Sequence, residues 1–118
     1  MKKILIISNS SGLVTDFLDN DVKILKEKGY NIECACNLSF PGKNTEEFFK
    51  KYSIKTYNID FPIRNLDIKM LTKSIFQLKK ILKGNNYEMI HCHSTIAAAL
   101  GRFFSKKYRK KGTKIVYT

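Results

Sequence analysis

Both histidines of the chain and one of its three cysteines stand in the segment MIHCHST, residues 89–95. Imidazole nitrogens and thiolates are ligands of zinc, and a cysteine near a histidine can also form a nucleophile–base pair. The segment has the pattern of a strand end, where successive side chains point to opposite faces. His91 and His93 would therefore face away from Cys92, and the sequence predicts neither a metal site nor a catalytic pair here.

The other two cysteines, Cys34 and Cys36, end a second predicted strand. In the usual order of a doubly wound sheet, the first strand separates that strand from the strand of Cys92 by about 10 Å, whereas zinc holds its ligands at roughly 2.0–2.3 Å. All three cysteines are therefore predicted to be small buried residues. An odd number of cysteines, two of them close together, does not describe a disulfide framework and favours a reducing cytoplasm.

Two loops could bind an anion. The segment after the first strand, NSSGLVT, offers the hydroxyls of Ser10, Ser11 and Thr15 and the backbone around Gly12, which could wrap a phosphate. It contains neither G-x-G-x-x-G, which disfavours a dinucleotide, nor G-K-[ST], which excludes a P-loop. An ordinary strand–helix turn is the alternative. The second loop follows His93, where Ser94 can cap a helix whose N-terminus favours an anionic group.

Strand-like and helix-like patterns alternate over the whole chain. The predicted strands cover residues 3–8, 31–37, 54–59, 87–92 and 113–118. The predicted helices are one with Phe17, Leu18, Val22 and Leu25 inside and Gly29 at its end, one over residues 44–52, one with Ile68, Leu71, Ile75, Leu78 and Leu82 inside and Gly84 at its end, and one from Ser94 to Gly112. This alternation predicts an α/β fold: a Rossmann-like, doubly wound parallel sheet of about five strands with helices on both faces. Residues 1–118 form one domain, and its ligands should bind at the carboxyl ends of the strands.

Positive charge is concentrated in the second half of the chain. Residues 1–60 carry nine Lys/Arg against eight Asp/Glu, and residues 61–118 carry thirteen against two. Nucleic acid, anionic lipid, a phosphorylated substrate or simple solvation could account for this. No recognition module for nucleic acid is apparent, so lysine-rich helices favour an anionic membrane surface. The predicted membrane-facing residues are Lys69, Lys73, Lys80, Lys106, Lys107, Arg109 and Lys110. No apolar run is long enough for a membrane span, and the first one is too short for a signal peptide.

In order along the chain, KILIISNSSGLVTDFLDNDVKILKEKGYNIECACN, FPIRNLDI and YEMIHCHSTIAAALGR, followed by a basic helix and GTKIVYT, resemble the N-terminal domain of a bacterial family-4 (GT-B) glycosyltransferase. The branch it most resembles acts in capsular and exopolysaccharide synthesis. The resemblance covers essentially all 118 residues. It is looser in the first loop, where many relatives carry a Gly-Gly pair and this chain has only Gly12.

The resemblance implies an enzyme that moves a sugar from a nucleotide-sugar donor to a saccharide acceptor, typically one linked to a lipid. The N-terminal domain would handle the acceptor, and a C-terminal domain, in the same or a separate chain, would bind the donor. This would place the protein in the cytoplasm, peripheral at the inner face of the plasma membrane, without a nucleic-acid partner.

Carried over to this sequence, the resemblance implies that Ser11, Gly12, His93, Ser94 and Thr95 bind the acceptor. It implies no metal and no cofactor in this domain, and a catalytic histidine that follows Thr118. The 118 residues alone are therefore expected to be inactive. Two alternatives stay open: a flavodoxin-like domain that binds phosphate or flavin, and a non-catalytic subunit of a split glycosyltransferase.

Overall fold

A computed structural model describes residues 2–10, 19–39, 45–61, 68–93, 110 and 112–117 of the chain. Its elements are β1 (Lys3–Ser10), α1 (Asp19–Glu27), β2 (Asn31–Asn37), α2 (Thr45–Lys51), β3 (Lys55–Asn58), α3 (Ile68–Lys83), β4 (Met89–His93) and β5 (Lys114–Tyr117). All five predicted strands are therefore present. The predicted helix from Ser94 to Gly112 lies outside the described residues except for Lys110 and Gly112, and Phe17, Leu18 and Asn44 lie outside them as well.

The strands form one parallel sheet in the order β3-β2-β1-β4-β5. This confirms the predicted doubly wound topology, with β1 between β2 and β4. Strand β1 has neighbours on both sides, and its residues Ile4 to Ile7 are at most 2% exposed. A continuous run of apolar residues is what a strand covered on both faces requires.

Two apolar clusters cover the two faces of the sheet. On one face, Leu5 and Ile7 of β1 pack in a cluster with Leu78 and Leu82 of α3. On the other face, Ile6 packs with Val22 of α1 and with Phe48 and Phe49 of α2. Because side chains alternate along a strand, neighbouring residues of β1 serve both clusters. Helices thus lie on both faces of the sheet, as predicted.

The inner stripe of α3 differs from the prediction at its start. Leu78 and Leu82 are buried as expected, but Ile68 is 74% exposed. The helix packs on the sheet through its later turns, so its first turn extends beyond the apolar cluster. Ser74 takes one of the buried positions, and its single hydroxyl hydrogen is shared between the carbonyl oxygens of Asp60 at 2.7 Å and Met70 at 2.8 Å. The shared hydrogen bond satisfies a polar group that would otherwise be costly to bury.

A buried carboxylate joins β2 to β1, to β3 and to the segment that precedes β4. Glu33 of β2 is 5% exposed, and its Oε1 accepts hydrogen bonds from Tyr87 Oη at 2.7 Å and Tyr57 Oη at 3.0 Å. Lys3 Nζ lies 3.8 Å from Glu33 Oε2 and donates to Asn85 Oδ1 at 2.6 Å. Burial and the adjacent carboxylate raise the pKa of Tyr87 far above its usual range, so that the phenol stays a donor.

Loss of a donor in this network should destabilise the fold. We expect Tyr87→Phe to lower the free energy of unfolding by about 1–3 kcal/mol, because it leaves a buried carboxylate with one donor fewer. Urea denaturation measures the change. The matched control is Tyr30→Phe, at a half-buried tyrosine outside this network, where the change should be below about 0.5 kcal/mol. Equal effects of the two substitutions would contradict the assigned role of Tyr87.

The first two helices end in the same backbone motif with different residues. Gly29 (φ 88°) follows α1, where its N–H donates to Lys26 O and the N–H of Tyr30 donates to Leu25 O. Ser53 (φ 52°) follows α2 with the equivalent bonds, from its own N–H to Lys50 O and from Ile54 to Phe49 O. Both are Schellman motifs, whose left-handed residue is usually glycine. Sequence analysis predicted the stop at Gly29, but nothing in its pattern identified Ser53.

Replacement of Ser53 by glycine should therefore stabilise the protein. A left-handed conformation costs a non-glycine residue about 1–2 kcal/mol, and the greater freedom of glycine in the unfolded chain offsets about 0.5–1 kcal/mol of the gain. We expect Ser53→Gly to raise the free energy of unfolding by roughly 0.5–1 kcal/mol, and Gly29→Ala to lower it by a similar amount. Thermal unfolding measures both, and a lower midpoint for Ser53→Gly would refute the interpretation.

Candidate functional site

The carboxyl ends of β1 and β4 leave the sheet side by side. Ile7 pairs with Cys92 and Ser8 with His93, so the last residue of β4 adjoins β1 just before the first loop. The chain runs from β1 towards β2 on one side and from β4 towards β5 on the other, which makes this the topological switch point of the sheet. Ligands of open α/β sheets bind at this position. It is the candidate site.

The predicted site residues fall mostly outside what the structure describes. His93 is the last residue of β4, and the structure places its backbone beside Ser8. Ser11, Gly12, Ser94 and Thr95 lie outside the described residues, immediately after the two strand ends. The structure thus brings together the strand ends from which these residues follow, and their contacts with a ligand stay a prediction.

Strand β1 carries an irregularity just before the first loop. Its register with β2 changes from Ile7↔Ala35 to Ser10↔Asn37, three steps along β1 against two along β2. The register with β4 is unbroken as far as Ser8↔His93. An extra residue of this kind twists a strand and redirects its side chains, and such bulges recur beside active sites. Sequence analysis ended this strand at residue 8, because the polar Asn9 and Ser10 resemble a loop.

Asn37 ties the ends of β2 and β3 together at the same edge. It is 1% exposed, and its Nδ2 donates to Phe61 O while its Oδ1 accepts from Ser39 N, both at 3.0 Å. Asn58 adds a parallel link, because its Oδ1 accepts from Leu38 N at 3.0 Å. These bonds fix where the chain leaves β2 and β3. The only sign of this role in the sequence is that Asn37 ends the strand-like segment NIECACN. The sequence analysis did not identify it.

Asp60 binds the middle turns of α3 near this edge. Its Oδ2 accepts hydrogen bonds from Lys73 Nζ at 3.1 Å and Gln77 Nε2 at 3.0 Å, and its N–H donates to Gln77 Oε1 at 2.8 Å. The bonds from Lys73 and Gln77 lower the pKa of the Asp60 carboxyl below its usual range. Lys73, predicted to face a membrane, is thus engaged with the protein's own carboxylate.

Strand β4 places Cys92 and His91 on opposite faces of the sheet, as predicted. Cys92 is fully buried in the apolar cluster that contains Leu78, and burial raises the pKa of its thiol to about 11. His91 points to the opposite face, where it helps to line a cavity of about 200 Å³ between α1 and β5. A buried, protonated thiol is a poor nucleophile. In the part of the chain that the structure describes, no cluster of three His, Cys, Asp or Glu side chains could hold a metal ion.

Cys34 and Cys36 are fully buried in the cluster on the face of α1 and α2, with their sulfur atoms 3.8 Å apart. The hydrogen bond to Cys36, together with burial, raises the pKa of Cys34. All three cysteines are therefore small buried residues, which confirms that prediction. None of the helices in the described ranges is long and apolar enough to cross a bilayer.

The three thiols should therefore be inert in the folded protein. We expect no reaction with a disulfide reagent such as DTNB at mildly alkaline pH on a timescale faster than unfolding, because labelling needs an accessible thiolate. In denaturant all three thiols of the chain should react at once. Absorbance of the released thiolate counts them, and rapid labelling of Cys92 in the native protein would disprove its burial.

Comparison with known proteins identifies the family and a shared fold. The family model described as "Glycosyl transferase 4-like" matches residues 3–118. The putative glycosyltransferase EpsD of Bacillus subtilis (strain 168) is 29% identical over 96 residues, which are 81% of this chain and 23% of EpsD.

Among solved structures, Acinetobacter baumannii MurG superposes with a TM-score of 0.69 at 15% identity, over 99% of this chain and 34% of MurG. The apo form of the lipopolysaccharide outer core galactosyltransferase WaaB superposes with a TM-score of 0.61 at 18% identity, over 99% of this chain and 32% of WaaB. At these identities the two superpositions show a shared fold. The chain spans about a quarter to a third of the length of all three proteins.

Proposed function

The chain belongs to the glycosyl transferase 4-like family, and we propose that it is the acceptor-binding domain of a glycosyltransferase. In the proposed reaction a hydroxyl of a saccharide acceptor attacks the anomeric carbon of a nucleotide-sugar, and the nucleoside diphosphate leaves. The observation that carries the proposal is the family match, which spans every strand of the sheet. It favours this function over a flavodoxin-like flavin site.

The carboxyl edge of β1 and β4 is the proposed acceptor site. Ser8 and His93 are paired there, and the register of β1 against β2 shifts between Ile7 and Ser10, just before the first loop. Asn37 and its hydrogen bonds to Phe61 and Ser39 brace the neighbouring strand ends. A saccharide needs several polar groups held in fixed positions, which rigid strand ends provide. Ser11, Gly12, His93, Ser94 and Thr95 are the proposed contacts.

The remaining parts of the reaction are proposed to come from a second domain, in the same or a separate chain. This domain would bind the nucleotide-sugar, as the resemblance to two-domain glycosyltransferases implies. The carboxyl edge of the sheet would face it, so that acceptor and donor meet between the domains. The match of this chain to 34% of MurG and 32% of WaaB supports the division.

A lipid-linked acceptor and a role in surface polysaccharide synthesis complete the proposal. EpsD is named a putative glycosyltransferase, which supports glycosyl transfer. WaaB is named a lipopolysaccharide outer core galactosyltransferase, which supports a surface polysaccharide as the product. Residues 61–118 carry thirteen Lys/Arg and two Asp/Glu, and this positive charge supports a position at the inner face of the plasma membrane.

Amide chemical shifts of the chain can test the acceptor site. Titration with a water-soluble saccharide diphosphate should shift the resonances of Ser8, His93 and their neighbours, whereas a nucleotide-sugar should leave this edge unchanged. We expect His93→Ala to weaken binding of the saccharide by about tenfold, the effect of one lost hydrogen bond of about 1.4 kcal/mol.

The matched control is His91→Ala, two residues earlier in the same strand and lining a different cavity. It should leave the affinity for the saccharide unchanged. Equal losses from the two histidine substitutions, or a response of this edge to the nucleotide-sugar alone, would refute the proposed acceptor site.

A further inference from the structure

The outward face of α3 exposes a large aromatic residue among lysines. Phe76 is 66% exposed and Ile68 is 74% exposed, although the same helix buries Leu78 and Leu82 against the sheet. Single exposed apolar side chains are common on protein surfaces. Phe76 differs in its surroundings, because cationic residues lie on every side of it along the helix.

Helical geometry places Phe76 at the centre of this face. Lys69 and Lys83 are seven residues before and after it, which is about two turns, so the three lie along one line. Lys73, Lys79 and Lys80 are three or four residues away and therefore lie beside Phe76 on the helix surface. Ile68 lies at the edge of the same face, in the first turn.

The charge of this face has one sign. The 16 residues of α3 include five lysines and no Asp or Glu. The other two described helices carry mixed charges, with three acidic and two basic residues in α1 and two of each in α2. Of the five lysines, Lys73 forms an ion pair with Asp60. The positive face is thus a property of α3 and not of all described helices.

We propose that this face of α3, formed by Lys69, Phe76, Lys79, Lys80 and Lys83, docks on an anionic lipid bilayer with Phe76 inserted at the headgroup–acyl boundary. This rests on the membrane location proposed above and names the surface that would carry it. The helix is about 24 Å long and covers one face of the sheet. A flat membrane surface can therefore contact the outward side of the helix along its whole length. Lysines around an apolar anchor are the composition of interfacial helices.

The exposed aromatic residue favours a bilayer over nucleic acid. Sequence-tolerant binding of single strands uses successive aromatic side chains on which bases stack. This face has one aromatic residue in its centre and an aliphatic one, Ile68, at its edge. The apolar part of a bilayer can accommodate both Phe76 and Ile68, whereas a base can stack only on Phe76.

Vesicle sedimentation with paired variants tests the charge requirement. The chain should bind vesicles that mix phosphatidylcholine with phosphatidylglycerol, bind poorly to phosphatidylcholine alone, and lose affinity as salt is raised. We expect Lys80→Gln/Lys83→Gln to weaken binding roughly thirtyfold, since each lysine near such a surface contributes about 1 kcal/mol. Lys23→Gln/Lys28→Gln removes the same charge from exposed positions at α1 and should change binding less than about threefold.

Fluorescence tests the insertion of residue 76. The chain contains no tryptophan, so Phe76→Trp introduces a single indole. Its emission should shift to the blue on anionic vesicles and be quenched by brominated acyl chains. Ile24→Trp, at a position on α1 that is 43% exposed, should do neither. All variants change exposed side chains, and an unaltered circular dichroism spectrum confirms their fold.

Three outcomes would overturn the proposal. They are equal losses from the two double-lysine variants, an unshifted emission of Phe76→Trp on bound vesicles, and binding of a single-stranded oligonucleotide that is tighter than binding of anionic vesicles and is weakened by Phe76→Ser. The last would indicate nucleic acid as the partner. Saccharide titration in the absence of vesicles is independent of all three, so failure of this docking surface is distinguishable from failure of the proposed acceptor site.

Discussion

Strand β1 is paired on both sides and covered on both faces, and the rest of the structure depends on that double burial. Four consecutive aliphatic residues, Ile4 to Ile7, can be buried only if β2 and β4 flank them and helices lie above and below. With right-handed crossovers, this sends β2 and β3 to one side and β4 and β5 to the other. The switch point beside the first loop follows from that arrangement.

The two edges of the sheet have different tasks. At the amino edge, Glu33 accepts hydrogen bonds from Tyr57 and Tyr87 and forms an ion pair with Lys3. These polar side chains hold neighbouring strands together. At the carboxyl edge, Asn37 and Asp60 fix where the chain leaves the strands. The buried carboxylate of Glu33 thus lies at the end of the sheet remote from the proposed acceptor site.

The fold could be predicted from sequence because it depends on periodicity. The aliphatic run of β1 and the spacing of Leu78 and Leu82 on α3 report burial directly. The details that depend on tertiary contacts could not be predicted. Ser74 is buried because the carbonyl of Asp60 accepts its hydroxyl, Ser53 takes a conformation that favours glycine, and the bulge in β1 reflects pairing with β2. At the site, strand order brought Ser8 beside His93, but hydrogen bonding by Asn37 had no periodic signal.

The bulge in β1 changes the register of this strand against β2 but not against β4. Past Ile7, the strand keeps its alignment with β4 as far as Ser8 but shifts by one position against β2. Between Ile7 and Ser10, β1 therefore changes its alignment with β2 while its pairs with β4 are kept up to Ser8↔His93. For protein engineering, this makes the end of β1 a practical position at which to insert or randomise residues when a new acceptor preference is sought.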